Sequence, residues 1–284
     1  MTDLSNRLVI VTGANSGVGY SVSGHLLEAG ARVVLVCRDR ERGEHARASL
    51  ESAHPRGVPE LEIADLSDLS SVRDLAARLA RFDGIEALVN NAGVWRAHLE
   101  RTAAGLEVTM ATNHLGHFLL THLLRPQLSA GGNRVVNVSS RAHYRADLTR
   151  APFEDICKGD AWRGGLEAYS DSKLANVVFT VELVRRYGED GLVANAVHPG
   201  VLRTMIWNKG RSPVSWILRM LKPLMGSADV GGRAVMRLLE DPERRLMTGA
   251  YFDVEEVAKP AASAGDEALG RRLWETSALL TGLA

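Results

Sequence analysis

A doubly wound α/β fold on a mostly parallel sheet is the architecture this 284-residue sequence predicts. Three observations predict it. Short Val-rich apolar runs recur along the chain, amphipathic stretches of helical period separate them, and a glycine-rich turn joins the first run to the first helical stretch.

The runs at 8–11, 33–36, 61–63, 88–90, 135–138 and 193–197 read as strands. They are β-branched and nearly unbroken, as in a parallel sheet covered on both faces. Segments 18–29, 40–52, 69–82, 106–128 and 166–187 carry apolar residues three and four positions apart, the spacing of helices with one buried face. Alternating strands and helices imply right-handed crossovers. Tyr251–Asp253 is expected to add a last edge strand. Without a Pro/Ser-rich linker or a repeat, one domain over 1–284 is expected. The rhythm breaks at about 141–165 and 202–226. Insertions beyond the carboxyl ends of such strands cover the ligand crevice, and the second reads as a helical substrate lid.

Bulk properties exclude several function classes. Lys+Arg 34 balances Asp+Glu 34, so no charge surplus draws the chain to nucleic acid. The hydrophobic fraction of 45% suits a globular core. The two cysteines, Cys37 and Cys157, are too far apart in sequence for a clustered thiolate metal site and too few for a secreted disulfide framework. The polar start and the short run at 8–11 suit neither a signal core nor a membrane span. A soluble, cytoplasmic protein without a stable membrane anchor is expected. His98, His114, His117, His143 and His198 lack the spacing of a metal site, so no metal is expected. His114 and His117 read as helix packing or polar contacts, and His143 as a pocket residue.

The turn reads Thr12-Gly13-Ala14-Asn15-Ser16-Gly17-Val18-Gly19. Glycine permits a tight turn and close approach of a phosphate, and N–H groups at the following helix start favour a pyrophosphate. Its place between the first strand and first helix of a βαβ unit marks a dinucleotide site built from Gly13, Asn15, Ser16, Gly17, Val18 and Gly19. The second strand should end at the adenosine ribose, where an acidic residue would hold the 2′-hydroxyl of NAD. The sequence offers Cys37-Arg38-Asp39 instead. Arg38 can pair bidentately with a 2′-phosphate, which favours NADP(H) over NAD(H). Asp39 complicates that reading, and Arg38 could instead pair with Glu41 or Glu44 on the surface.

Tyr169 and Lys173 stand at i and i+4 of a helical segment and so share a face. A phenol is a poor base at neutral pH until a nearby cation stabilises phenolate. So tuned, Tyr169 could give a proton to a carbonyl or take one from an alcohol.

With Asp65-Leu66, Asn90-Asn91-Ala92-Gly93, Asn113, Ser139-Ser140, and Pro199-Gly200 followed by Thr204, these motifs fall in one order. The chain resembles the short-chain dehydrogenase/reductase superfamily over nearly its full length. It looks most like the retinol-dehydrogenase-like branch, through Asn113-His114-Leu115-Gly116-His117-Phe118, Ser172-Lys173-Leu174-Ala175-Asn176 and His198-Pro199-Gly200-Val201. The resemblance implies a Rossmann fold. It implies that Ser140 bonds the substrate oxygen, Tyr169 transfers the proton, and Lys173 binds the nicotinamide ribose and tunes Tyr169. Asn113 would hold a water linking Lys173 to solvent. Asp65 and Leu66 would contact adenine, Asn91, Ala92 and Gly93 would line the cleft with Pro199 and Gly200, and Val201 and Thr204 would orient the carboxamide. Two features depart from relatives. Ser16 stands where many NADP-using members carry a basic residue, and an apolar amino-terminal anchor of the kind frequent in animal retinol dehydrogenases is not expected.

Trp95, Tyr144 and Trp162, with Met205 and Trp207 of the lid, suggest a pocket for a hydrophobic ketone, aldehyde or alcohol. The same apolar lid residues could instead pack onto the body, form a subunit contact, or touch a membrane surface with Arg219 and Lys222 at the polar edge. An NADP(H)-dependent carbonyl reductase or alcohol dehydrogenase is the expected function. A non-catalytic cofactor-binding scaffold or sensor, and an epimerase or dehydratase of the longer branch, are the alternatives. The family's habit of pairing the helices at 106–128 and 166–187 across subunits implies a homodimer or homotetramer.

Overall fold

A computed structural model of the protein describes residues 4–200 and 228–284. The expected lid at 202–226, with Val201, Thr204, Met205 and Trp207, lies outside the described residues.

Among the described residues, eight strands form one sheet. They are β1 (Leu8–Thr12), β2 (Arg32–Cys37), β3 (Val58–Ile63), β4 (Ala87–Asn90), β5 (Arg134–Val138), β6 (Val193–His198), β7 (Tyr251–Asp253) and β8 (Glu256–Ala258). Their order is β3-β2-β1-β4-β5-β6-β7-β8. All neighbours are parallel except β7 and β8. The chain runs outward from β1 through β2 and β3, then returns to lay β4 on the other side. The strand order reverses there, and a crevice opens at the carboxyl ends of β1 and β4.

The expected edge position of Tyr251–Asp253 is corrected, because β8 pairs with it and takes the edge. β8 leaves little trace in sequence. It has three residues, and Glu256 and Val257 are exposed. Its turn is made by Val254 at φ 58, where glycine or asparagine would have signalled a hairpin.

Helices cover both faces. On one lie α1 (Gly17–Glu28), α2 (Arg40–Ala53) and α9 (Ala228–Glu240), which bury Val22, Leu26, Leu50, Val235 and Leu238 against Val9, Val11, Val33 and Val197. On the other lie α3 (Leu69–Leu79), α5 (Gly116–Leu123), α8 (Gly165–Tyr187) and α10 (Glu267–Leu280). These bury Leu75, Phe118, Val178, Phe179 and Trp274 against Ile10, Leu88, Val135 and Ala196. Strand residues alternate between the two cores, which is why the runs read as continuously apolar.

The helix expected over 106–128 is broken into pieces. Glu107 caps its start by accepting hydrogen bonds from Thr109 N–H at 2.9 Å and Met110 N–H at 2.7 Å. A short α4 (Val108–Met110) widens into a π turn over Ala111–Leu115 before α5 resumes. Pro126 in the first turn of α6 (Arg125–Ala130) supplies no N–H, so the helix restarts there. Within the 141–165 insertion are a 3-10 turn (Arg141–Arg145) and α7 (Phe153–Lys158). Among the described residues, no helix is long and apolar enough to cross a membrane.

Candidate active site

A cleft of about 790 Å³ lies at the β1/β4 crevice. Its floor is the glycine turn. Gly13 and Gly17 sit at φ 66 and 58, a region closed to most side chains. Ser16 precedes α1 without capping it, and no acidic residue stands in the first turn. The leading N–H groups of this 12-residue helix are therefore uncapped by side chains, as binding of a pyrophosphate requires. Gly13, Asn15, Ser16, Gly17 and Val18 line the cleft. Gly19 stands behind them, off the cleft lining. A Cβ there would lie 2.4 Å from Gly13 O and 2.5 Å from Asn91 Nδ2. Gly19 allows α1 to pack against the turn.

At the ribose end, Arg38 lines the cleft and pairs with neither Glu41 nor Glu44; Glu44 bonds Arg47 at 3.0 Å. The Asp39 carboxylate accepts from Arg42 N–H at 2.9 Å, so it caps α2. The cap uses one carboxylate oxygen, and Asp39 lines the cleft beside Arg38. Arg42 also lines the cleft, a second guanidinium that sequence reasoning missed. Its spacing of four from Arg38, at a helix start, was the signal. Asp65 and Leu66 line the same wall, with Asp65 Oδ1 accepting from Ser67 N–H at 2.9 Å.

On the opposite wall, α8 presents Tyr169 and Lys173, which are 8% and 3% exposed. The two serines after β5 have separate roles. Ser139 Oγ donates to Lys173 O at 2.8 Å, a structural bond, whereas Ser140 hydrogen-bonds the Tyr169 hydroxyl. Lys173 Nζ donates to Val138 O at 2.9 Å. An ammonium has three hydrogens, so two remain for a ligand in the cleft that Lys173 lines. Gly93 lies alongside; a Cβ there would be 3.5 Å from Nζ.

Electrostatics depart from the expected tuning. Burial pushes the Tyr169 phenol up to about 12, and the Ser140 hydrogen bond only partly opposes it. Burial also pushes Lys173 down to about 8. Without a ligand, the lysine loses its proton before the phenol could ionise. Its Nζ stands 5.6 Å from the tyrosine ring centroid. The pair alone does not acidify Tyr169; further positive charge in the cleft is needed.

Asn113 occupies the π turn and is fully buried. Its Oδ1 accepts from Val94 N–H at 2.7 Å, and Nδ2 donates to Val94 O at 3.0 Å and Ser172 Oγ at 2.9 Å. Both amide hydrogens are used, so its side chain cannot donate to a relay water. Asn91, Ala92, Gly93, Pro199 and Gly200 line the cleft as expected.

Of the expected substrate residues, Trp95 lines the cleft. His143 does not. It is fully buried, lies 2.7 Å from Ser140 O through Nδ1, and accepts Ala261 N–H at 3.1 Å. It supports the turn carrying Ser140. Tyr144 points its hydroxyl to Lys259 O at 2.6 Å, is 48% exposed, and does not line the cleft formed by the described residues. Trp162 also lies off the cleft. Tyr144 is exposed and Trp162 is partly buried with its indole nitrogen shielded from solvent, directions that no local pattern announces. His114 and His117 are buried polar contacts, as expected: Nε2 of each lies within 2.9 Å of a hydroxyl, on Ser277 and Thr12 respectively. His198 was missed. It lines the cleft at 5% exposure, and burial pushes it down to about 4, hence neutral. Cys37 and Cys157 are free, buried thiols, and among the described residues no cluster could hold a metal ion.

The family model described as short chain dehydrogenase matches residues 7–150. Retinol dehydrogenase 11 of Homo sapiens is 36% identical over 282 residues, covering 99% of this chain and 87% of that protein. Retinol dehydrogenase 13 of Homo sapiens is 36% identical over 296 residues, covering 99% and 86%. An uncharacterized protein from Mycobacterium paratuberculosis has a similar crystal structure, with a TM-score of 0.79 at 32% identity over 99% of this chain and 96% of that one. A short chain dehydrogenase from Burkholderia cenocepacia J2315, in complex with NADP, aligns with a TM-score of 0.69 at 26% identity, over 89% and 97%.

Proposed function

The chain belongs to the short-chain dehydrogenase family, in its retinol-dehydrogenase-like branch, and is an NAD(P)-dependent oxidoreductase; on that premise we propose that it uses NADP(H) to interconvert a hydrophobic aldehyde or ketone and its alcohol. The observation that carries this reading is the buried Tyr169 hydroxyl, hydrogen-bonded to Ser140, on the wall of the cleft that also holds the glycine turn and Lys173.

The cleft fits the dinucleotide. The uncapped start of α1 suits the pyrophosphate, Arg38 and Arg42 suit a ribose 2′-phosphate, and Lys173 retains hydrogens for ribose hydroxyls. When bound, the nicotinamide supplies or accepts the hydride and, in its oxidised form, a positive charge. The chain's own residues handle the proton. In reduction, Ser140 and Tyr169 donate hydrogen bonds to the carbonyl oxygen, and the Tyr169 O–H bond breaks as the alcohol O–H forms. In oxidation, the alcohol proton passes to Tyr169 phenolate. A phenol held at about 12 is protonated at neutral pH and so ready for reduction. Oxidation needs the added positive charge to bring that value down.

Retinoids are the first substrate class to try, because the similar human proteins are named retinol dehydrogenases. Trp95 on the cleft wall supports an apolar substrate. The test is Tyr169→Phe. Turnover of retinaldehyde with NADPH should fall at least about 100-fold, as loss of a general acid requires, with the NADPH Kd unchanged within about threefold. Undiminished turnover in this variant refutes the assignment of Tyr169.

A further inference from the structure

A continuous line of buried polar atoms runs from the glycine turn to the catalytic helix, and the proton chemistry uses none of them. Asn91 N–H and Ala92 N–H both donate to Thr12 Oγ1, at 2.9 and 3.0 Å. Thr12 Oγ1 lies 2.8 Å from His117 Nε2, and His117 Nδ1 lies 3.0 Å from Asn113 O. Asn113 Nδ2 donates to Ser172 Oγ at 2.9 Å, and Ser172 Oγ donates to Tyr169 O at 2.7 Å.

The directions follow from the atoms. A carbonyl only accepts, so His117 carries its hydrogen on Nδ1. Burial pushes the ring down to about 4, so it is neutral and Nε2 accepts. The Thr12 hydroxyl therefore donates to His117 in preference to Val89 O, which is farther away at 3.3 Å. Thr12, His117, Asn113 and Ser172 are at most 1% exposed, so water cannot replace a lost partner.

We infer that His117 is a positioning residue that couples the dinucleotide turn to the acid/base helix. The inference rests on the functional reading above. Its physical basis is that the two halves of the site stand on different elements. Gly13 and Asn91–Gly93 are set by β1 and β4, and Tyr169 and Lys173 by α8. Hydride transfer tolerates little misalignment; about 1 Å costs on the order of 100-fold in rate. The two nitrogens of one imidazole reach both halves, and an amide side chain reaches only one.

Two half-variants test this. His117→Asn keeps an amide near the Nδ1 position and the bond to Asn113 O, but loses Thr12. His117→Gln reaches the Nε2 position and keeps Thr12, but loses Asn113. The first should raise the NADPH Kd, read by NADPH fluorescence, about tenfold, the loss of one buried hydrogen bond, and should lower kcat less. The second should lower kcat for retinaldehyde about tenfold and raise Kd less. His117→Phe should show both losses. A folded His117→Phe with wild-type Kd and kcat overturns the inference. So do half-variants that lose binding and turnover in one proportion, since a merely structural residue would lower both together. If His117→Phe does not fold, the half-variants decide. A wild-type protein that binds no NADPH overturns the functional reading and the inference with it, whereas wild-type binding with undivided losses overturns the inference alone.

Discussion

Replacing Arg150 by Met should destabilise the protein, and more so at neutral than at acid pH. Arg150 donates to both oxygens of Asp171, Nη1 to Oδ1 at 3.0 Å and Nη2 to Oδ2 at 2.6 Å. The side chains are 11% and 3% exposed. The pair ties the 141–165 insertion to α8, two residues from Tyr169. Removing one partner of such a pair leaves a buried charge, at a cost of about 3–5 kcal/mol. Unfolding entropy is about 2.1 cal/mol/K per residue, so a 284-residue chain should lose about 5–8 °C in Tm. Burial already holds the Asp171 carboxyl above its ordinary value, against the pull of Arg150. Without Arg150 it rises further. A raised carboxyl means that the folded state binds a proton the unfolded chain has released, so stability falls as pH rises from the ordinary carboxylate value to the folded one. The Arg150→Met deficit should therefore be largest near pH 7 and shrink toward pH 5. Urea denaturation across that range, with calorimetry for Tm, measures it. Arg150→Met/Asp171→Leu should recover most of the loss, because no charge remains buried. A deficit under about 1 kcal/mol, or one that grows as pH falls, would refute the account of this pair.

Two further outcomes are expected. Arg38→Ala and Arg42→Ala should each weaken NADPH binding by about 10- to 100-fold, the worth of a charge-assisted hydrogen bond, and leave NADH affinity nearly unchanged. Parallel fluorescence titrations check this, and equal NADPH and NADH affinities in wild type and variants would remove the arginines from cofactor choice. Lys173 is held at about 8, below its ordinary value, so the folded state binds fewer protons than the unfolded state above pH 8. Stability of the ligand-free protein should then rise between pH 8 and 10, by about 2–3 kcal/mol relative to Lys173→Met. A constant difference between the two proteins over that window would show that burial does not disfavour the ammonium.

Much of the fold was legible because its cues are local. Parallel strands buried on both faces read as Val-rich runs, and with Tyr251–Asp253 seven of the eight strands among the described residues are legible in the sequence. The helices α9 and α10 lie outside the segments marked by the sequence, although in α9 Ala234, Val235, Leu238 and Leu239 repeat at helical spacing. β8 was not legible, because three residues of partly exposed edge strand carry no pattern. The π turn at Ala111–Leu115 was not legible either. Helix and π turn place apolar residues alike, and only the polar partners of Asn113 and His117 distinguish them.

By itself the sequence determined the glycine turn, the strand rhythm and the Tyr169/Lys173 spacing, since each depends on residues within a few positions of one another. Tertiary structure decided everything that depends on which side chains meet. It set Ser139 on the backbone of Lys173 and Ser140 on Tyr169, turned Asp39 into a helix cap, and brought Arg42 to the cleft. It also set His143 and Tyr144 off the cleft formed by the described residues and joined Thr12 to Asn113 through His117. The reason is physical: local spacing governs backbone conformation, whereas hydrogen-bond partners and burial depend on neighbours distant in sequence, as Ala261 is 118 positions from His143 and Ser277 is 163 from His114.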